Sequence, residues 1–498
     1  MFHRLLSGTL PHGGLWSSRM ALSQEVLDFC TQFVTELRDD SVAIFAGAGL
    51  SATAGFVDWR GLLTKFAKEL GLDIDREGEH LVRLAQYSHN YRGTRSHLDA
   101  AIIKSFPVMK APSKNHKILA RLPISTYWTT NYDRLIEAAL GDARKCVDVK
   151  YVDNQLPQSM PGRDAILYKM HGDVGHPAEA VLTRNDYESY PAKRPGFLNA
   201  LTGDLTGKTF LFLGFSFTDP NLDHVLSQLR LRYHDSQRQH YCLMRNPKRA
   251  DYPSAKELAY AQARQGHFIA DLKRFGIKVL LVDEYSDITA VLETIEKLYR
   301  RRTVFVSGSA AEFAPWHEAS SKRFFRNLGA KLIDHDFRVV TGLGLGVGDA
   351  LLSGAIERIQ DRGHTRLDHL IDIRPFPRDF ADAAKRQKVW RSYREEMISR
   401  AGIAIFLFGN RVSEGGLESA SGMREEFDIA LAQSVVPLPV GATGYLARDL
   451  ADEVLKAEQG RYTKTNLACV KKLKSVPRGG LTALLPEIMR SLDKMSAD

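Results

Sequence analysis

Four cysteines in 498 residues exclude two kinds of protein at once. Cys30, Cys146, Cys242 and Cys469 lie far apart in sequence. They cannot form a zinc ribbon, and they are too few to staple a large chain with disulfides. No metal is therefore expected, and a reducing cytoplasm suits the chain best. Long apolar runs are also missing. The best stretches are strand-length and end in glycine, so no membrane span is expected. The formal net charge is +9, yet no long basic tract carries it. Arg300-Arg301-Arg302 and Lys471-Lys472-Leu473-Lys474 are short and lack interleaved aromatics. They read as solvated surface rather than a nucleic-acid tract, and the basic excess suits an anionic nucleotide equally well. The N-terminal stretch has Arg4 and Arg19 but neither acid nor apolar core before Met20. Residues 1–22 are expected to be a disordered leader.

What is present points to two α/β domains. Apolar residues make up 44% and charged residues 26%, the balance of a globular chain, and the length predicts two cores rather than one. A helix pattern at Ser23–Leu37 leads into Val42–Phe45, a buried strand entering glycines. Residues 62–122 read as a helical insertion. Strand-like runs return at Ser125–Trp128, Ala165–Met170, Thr209–Leu213, His240–Met244 and Lys278–Val282. Residues 285–302 form a linker helix, and a second series of strands follows at Thr303–Val306, Arg338–Thr341, His369–Ile373, Ile403–Phe408 and Val435–Val440. Strands alternating with helices predict parallel sheets covered on both faces. The expected fold is therefore α/β, with one Rossmann-like domain over 23–284 and another over 303–498.

Three segments of the first half place polar groups at strand ends, where ligands bind in open parallel sheets. Ala46-Gly47-Ala48-Gly49-Leu50-Ser51 leaves a strand for a helix, and its glycines let backbone approach a pyrophosphate. Asn131-Tyr132-Asp133 and Lys169-Met170-His171-Gly172-Asp173 end two further strands. Each has a plain structural alternative: Asn131 as the cap of a helix through Leu135, His171 as a satisfied histidine before a turn. Together with Asp58-Trp59-Arg60 and Leu213-Gly214-Phe215-Ser216, their order resembles the sirtuin superfamily. The segment Phe217-Thr218-Asp219-Pro220-Asn221 is more similar to bacterial sirtuin-like defence proteins than to deacylases. The resemblance implies NAD as substrate, with Asn131 and His171 as the catalytic pair. It implies NAD contacts from Ala46, Gly47, Ser51, Asp58, Trp59, Arg60, Asp133, Gly214 and Ser216. The chemistry agrees: the neutral Asn131 amide can fix ribose and water, and the imidazole of His171 is a side chain that can accept a proton. The zinc module of deacylating sirtuins is missing, which favours hydrolysis of NAD to nicotinamide and ADP-ribose over peptide deacylation. Deacylation, ADP-ribosyl transfer and a non-catalytic nucleotide-binding scaffold remain as alternatives.

The second half repeats the strand-to-glycine design. Gly308 and Ser309 end one strand. Gly342, Gly344, Gly346 and Gly348 alternate after another and can turn several amides toward phosphate. Arg374 closes a strand and offers a guanidinium fork. Lys388, Arg391 and Arg394 are spaced to share one helix face. Asn410 follows a strand, and Glu426 opens a helix where it can take ribose hydroxyls or favour the helix dipole. This region resembles the SLOG family of nucleotide-binding Rossmann-like domains. Gly422-Met423-Arg424-Glu425-Glu426 keeps the glycine and glutamate of the phosphoribohydrolase motif but lacks its Pro-Gly-Gly and threonine, which favours sensing over a second activity. The pairing of the two domains resembles the effector family of bacterial Thoeris antiphage systems. That resemblance implies a homotetramer, a TIR-domain partner that makes a cyclic ADP-ribose isomer, and NAD depletion once the isomer occupies the SLOG domain. Gly308, Ser309, Gly342, Gly344, Arg374, Lys388, Arg391, Arg394, Asn410 and Glu426 are the residues expected to hold that activator.

Overall fold

The computed structural model describes residues 22–77, 81–363, 367, 370–376, 382–458, 460–475 and 478–497. The leader expected over 1–22 thus lies, but for residue 22, outside the described residues, as does the start of the strand expected at 369. The chain divides into two compact units between Glu293 and Thr294, inside the helix Tyr285–Arg301.

The first unit is built on a sheet whose order, among the described residues, is β3-β4-β2-β1-β5-β6-β7. Its strands are β1 (Val42–Ala46), β2 (Thr126–Thr129), β3 (Val147–Lys150), β4 (Ala165–Lys169), β5 (Thr209–Leu213), β6 (His240–Arg245) and β7 (Ile277–Val282), and every neighbouring pair is parallel. Every residue of β1 and β5 is buried, which is why β1, and β5 after Thr209, read as unbroken apolar runs rather than alternating ones. The strand order turns outward from β1 in both directions, through β2 on one side and β5 on the other. That reversal opens a crevice at the carboxyl ends.

Strand β3 escapes a reading of the sequence for an identifiable reason. Its sequence is Val-Asp-Val-Lys, and the two charged side chains are the buried ones. Lys150 Nζ pairs with Asp148 Oδ1 at 2.7 Å, and Arg163 meets the other oxygen of the same carboxylate at 2.9 Å. Between β1 and β2 the chain runs through the helices Trp59–Glu69, Leu81–Arg92, Ser96–Ser105 and Lys114–Arg121. They have an apolar cluster of their own, in which Leu63, Phe66, Leu98 and Ile102 pack with Tyr132 from the loop after β2 and Leu135 from the start of the next helix. The insertion therefore braces that loop.

The second unit has the parallel order β10-β9-β8-β11-β14. The strands are β8 (Thr303–Ser309), β9 (Arg338–Thr341), β10 (Ile371–Ile373), β11 (Ile403–Phe408) and β14 (Val436–Pro439). An antiparallel hairpin, β12 (Asn410–Ser413) with β13 (Gly416–Ser419), was not legible beforehand. No helix among the described residues is long and apolar enough to cross a membrane.

Two helices of this unit, Glu318–Asp334 and Gly348–Asp361, approach through glycine. A methyl on Gly354 would stand 1.8 Å from the Arg326 carbonyl oxygen, and one on Gly329 would stand 2.0 Å from that of Leu351. In an exposed helix Gly→Ala gains about 1 kcal/mol from propensity. Here the clash with rigid backbone outweighs that gain. Gly354→Ala is expected to destabilise the unit by about 2 kcal/mol and lower its thermal midpoint by roughly 5 °C. A midpoint in a melting experiment equal to or above wild type would contradict the packing.

Candidate active site

The glycines after β1 first secure a contact between two loops. Gly47 N donates to Leu213 O and Gly49 N to Gly214 O, both at 2.9 Å. A Cβ on Gly47 would meet Gly214 O at 2.4 Å, while Gly214 has φ +62° and its own Cβ would meet Leu50 N at 2.2 Å. The two amides are thus used inside the fold, and the carbonyls around them organise the next residue. Asn131 Nδ2 donates to Gly47 O at 3.0 Å and to Ser51 Oγ at 2.9 Å, and Ser51 Oγ donates to Asp133 Oδ2 at 2.7 Å. Ala46 O accepts from Thr129 Oγ1 at 2.8 Å, and that hydroxyl oxygen accepts from Asn131 N at 3.0 Å. Asn131 does not cap a helix. The helix starts at Leu135, whose amide donates to Asp133 Oδ1 at 3.0 Å.

His171 enters from the neighbouring strand. β2 and β4 are paired with Thr129 opposite Lys169, so Asn131 and His171 each lie two residues beyond the paired ends. The two loops are tied by Lys169, which is fully buried. Its ammonium donates to Asp133 O at 2.6 Å, Tyr132 O at 3.3 Å, Glu137 Oε1 at 2.9 Å and Asp173 Oδ2 at 2.6 Å. Arg134 grips the other side of Asp173, with Nη2 2.5 Å from Oδ1. Burial alone would raise the Asp173 carboxyl; Arg134 and Lys169 outweigh it and hold it down to about 2. Burial pushes Glu137 upward despite its contact with Lys169.

The His171 ring is buried, with Nε2 2.8 Å from Asp219 Oδ2. Tyr187 stands edge-on to it at 5.4 Å between centroids, and Trp59 stands edge-on to Tyr187 at 6.3 Å. Asp219 caps the helix Pro220–Tyr233, with Oδ1 accepting from Asn221 N at 3.0 Å and Leu222 N at 2.9 Å. Burial works against its charge, yet His171 and those two amides hold its carboxyl below the usual value. Asp219, Lys169 and Asp173 were absent from the expected site. An Asp-Pro step at a helix start was the signal available for the first, and a charged pair flanking His171 for the others.

The remaining expected residues are more dispersed. Asp58 caps its helix through Gly61 N at 2.8 Å, and Arg60 turns outward to Asp75 at 2.7 Å. Ser216 shares a 2.8 Å hydrogen bond with Thr218 and lines a cleft of about 780 Å³ with Arg245, Asn246, Tyr260 and Tyr285. Among the described residues no group of three or more His, Cys, Asp or Glu is placed to hold a metal.

In the second unit the ends of β8, β9 and β11 converge. The Gly344 turn presses on Gly308, and the Phe376 ring lies on Gly342. Asn410 Oδ1 accepts from Ala311 N and Glu312 N at 2.9 Å, fixing the loop after β8, and Ser309 Oγ donates to Asn410 O at 2.8 Å. Buried Glu426 accepts from Ser307 Oγ at 2.6 Å and faces Arg394 Nε at 3.4 Å; burial raises its carboxyl. Arg394 also meets Glu425 at 2.7 Å and lies 4.8 Å from the centre of the Phe376 ring. Arg374 is paired with Asp372 at 3.1 Å and Glu396 at 2.9 Å. Arg391 pairs with Glu395 on the outer surface, where Lys388 is exposed. Of the three basic residues on that helix, Arg394 is the one that turns inward.

A parallel sheet with an asparagine–serine–aspartate cluster and a histidine at its switch point, followed by a second nucleotide-type α/β unit, defines a two-domain protein of SIR2-like and SLOG-like type. Family models agree: a SIR2-like domain matches residues 125–267, and the Sir2- and TIR-associating SLOG family matches residues 287–479. The NAD(+) hydrolase ThsA of Acinetobacter baumannii (strain 532279) is 46% identical over 85% of this chain and 89% of its own length. That of Bacillus cereus (strain MSX-D12) is 45% identical over 89% and 92%. The defense-associated sirtuin 2 of Bacillus subtilis is 28% identical over 44% of this chain and 22% of its own length. The chain belongs to the ThsA family.

Asp173 sets an acid limit on this site. Its folded carboxyl lies below the ordinary value near 4, so its contribution is complete above pH about 4 and is lost as the pH falls through about 2. The shift corresponds to on the order of 2 kcal/mol. Asp173→Asn strips a buried ammonium of a partner and is expected to cost about 3–5 kcal/mol at neutral pH. Its acid unfolding should also be less steep between pH about 4 and 2. A variant melting within about 1 °C of wild type at pH 7 would show that Lys169 does not depend on Asp173.

Proposed function

We propose that this chain is an NAD hydrolase of bacterial antiviral defence, acting in the cytoplasm, whose SLOG-type unit switches it on. The observation that supports the reading is the placement of Asn131 and His171 two residues beyond the paired ends of two adjacent parallel strands, with the asparagine bonded to Ser51 and Ser51 to Asp133. In this reading Asn131 orients the nicotinamide ribose and the attacking water. The bond from the ribose anomeric carbon to the ring nitrogen breaks, and its electron pair neutralises the pyridinium. Water adds to the oxocarbenium-like carbon, and the released proton passes to His171. The products are nicotinamide, ADP-ribose and one proton. Ala46, Gly47, Ser51, Asp58, Trp59, Arg60, Asp133, Gly214 and Ser216 are assigned to the dinucleotide.

The activator reading rests on the SLOG family match and on the chemistry at the ends of β8, β9 and β11. We assign to that unit a cyclic ADP-ribose isomer supplied by a TIR-domain partner, with Arg394, Arg374 and the Gly342–Gly348 turn toward its phosphates. Glu426 and Asn410 lie toward its riboses, and Gly308, Ser309, Lys388 and Arg391 lie around it. A homotetramer is the assembly in which the switch operates.

Purified protein is expected to release little nicotinamide from NAD alone and to become active with one of a panel of cyclic ADP-ribose isomers. Asn131→Ala and His171→Ala should each lower that release by about 10²-fold or more. Full turnover by both variants would remove them from the chemistry. Arg394→Ala should raise the activator concentration needed by roughly 10-fold or more, the loss of a charge-assisted hydrogen bond; an unchanged response would place the activator elsewhere.

A further inference from the structure

The two nitrogens of the His171 ring have different surroundings. Nε2 lies 2.8 Å from Asp219 Oδ2, whereas Nδ1 is buried with no hydrogen-bond partner. The Nε2 contact has hydrogen-bond length without full alignment, a looseness common in catalytic pairs until substrate tightens them. Asp219 is itself immobilised. Oδ1 is held by two helix amides, and the Tyr187 hydroxyl donates to Oδ2 at 3.4 Å. An ionised carboxylate only accepts hydrogen bonds, so it favours the imidazole tautomer with a proton on the nitrogen facing it.

We propose that Asp219 is a positioning residue that keeps the proton of neutral His171 on Nε2 and so makes Nδ1 the nitrogen that receives the proton in NAD hydrolysis. This rests on His171 being the base, as proposed above. The lone pair of Nδ1 takes a proton from water or a ribose hydroxyl, and the ring becomes an imidazolium with N–H on both nitrogens. That charge forms in a buried site, opposite a carboxylate already in place. Asp219 thus acts twice through His171, first on the tautomer and then on the ion. The same carboxylate starts a helix, so register and chemistry are set by one residue.

Asp219→Asn separates the two roles, because asparagine caps a helix as well as aspartate does but can donate as well as accept. In the full chain, with NAD and the cyclic ADP-ribose isomer panel, Asp219→Asn is expected to lower kcat for nicotinamide release by about 10²-fold or more while KM stays within about threefold. Asp219→Glu should recover part of the rate. Nitrogen NMR on protein with ring-labelled histidine, the His171 signals identified by their loss in His171→Gln, should show an unprotonated Nδ1 in wild type and a protonated one in Asp219→Asn. A kcat within about threefold of wild type in Asp219→Asn, or a protonated Nδ1 in the neutral wild-type ring, overturns the proposal. Retained turnover in His171→Gln would instead remove His171 as base, and the tautomer measurement would report on Asp219 regardless.

Discussion

A single buried ammonium holds the candidate site in register. Moving Lys169 out of water costs several kcal/mol unless its hydrogen bonds and charge are met, and the groups that meet them come from three places in the chain. Two are carbonyls of the loop after β2, one is Glu137 on the next helix, and one is Asp173 just beyond His171. Asp173 is the partner held firmly ionised, since Arg134 faces it as well. Neither loop can shift without uncovering this charge. Asn131 and His171 are thereby kept at a common level above adjacent strands, one on each side of the same electrostatic knot.

The glycines do a complementary job. A turn rich in glycine after a strand suggests amides aimed at phosphate, yet Gly47 and Gly49 donate to the end of β5. Their lack of side chains lets two backbone loops touch, and the Gly47 carbonyl, which also accepts from Leu50 N, is what Asn131 binds. The second unit uses its glycines in the same way, with Gly344 against Gly308. It also keeps its inward cations neutralised, Arg394 by Glu425 and Glu426 and Arg374 by Asp372 and Glu396. An anionic ligand at these arginines meets carboxylates first, so binding there is an exchange of partners rather than the filling of a bare charge.

Much of the fold was legible because buried parallel strands have little freedom of composition. Val42–Ala46, Phe210–Leu213 and Ile403–Phe408 are apolar throughout and end just before glycine. β3 was hidden because its inward residues are an aspartate and a lysine that neutralise each other, and no sequence pattern separates such a pair from a surface one. The β12–β13 hairpin was hidden because its strands are short and largely exposed. Asn131, Ser51, Asp133 and His171 stood out through the order of their motifs. Asp219 did not, because its contact with His171 depends on where β5 delivers the following helix.

The sequence by itself determined the two α/β units, the strand ends that carry polar side chains and the family to which the chain belongs. These follow from local composition and motif order, which survive in one dimension. Tertiary structure alone decided which polar groups meet. It set Lys169 between two loops, turned Arg394 inward and Arg391 outward on one helix, and gave the two nitrogens of His171 unlike neighbours. Those choices depend on strand order and on burial, which fix the electrostatic cost of leaving any one of these groups unpaired.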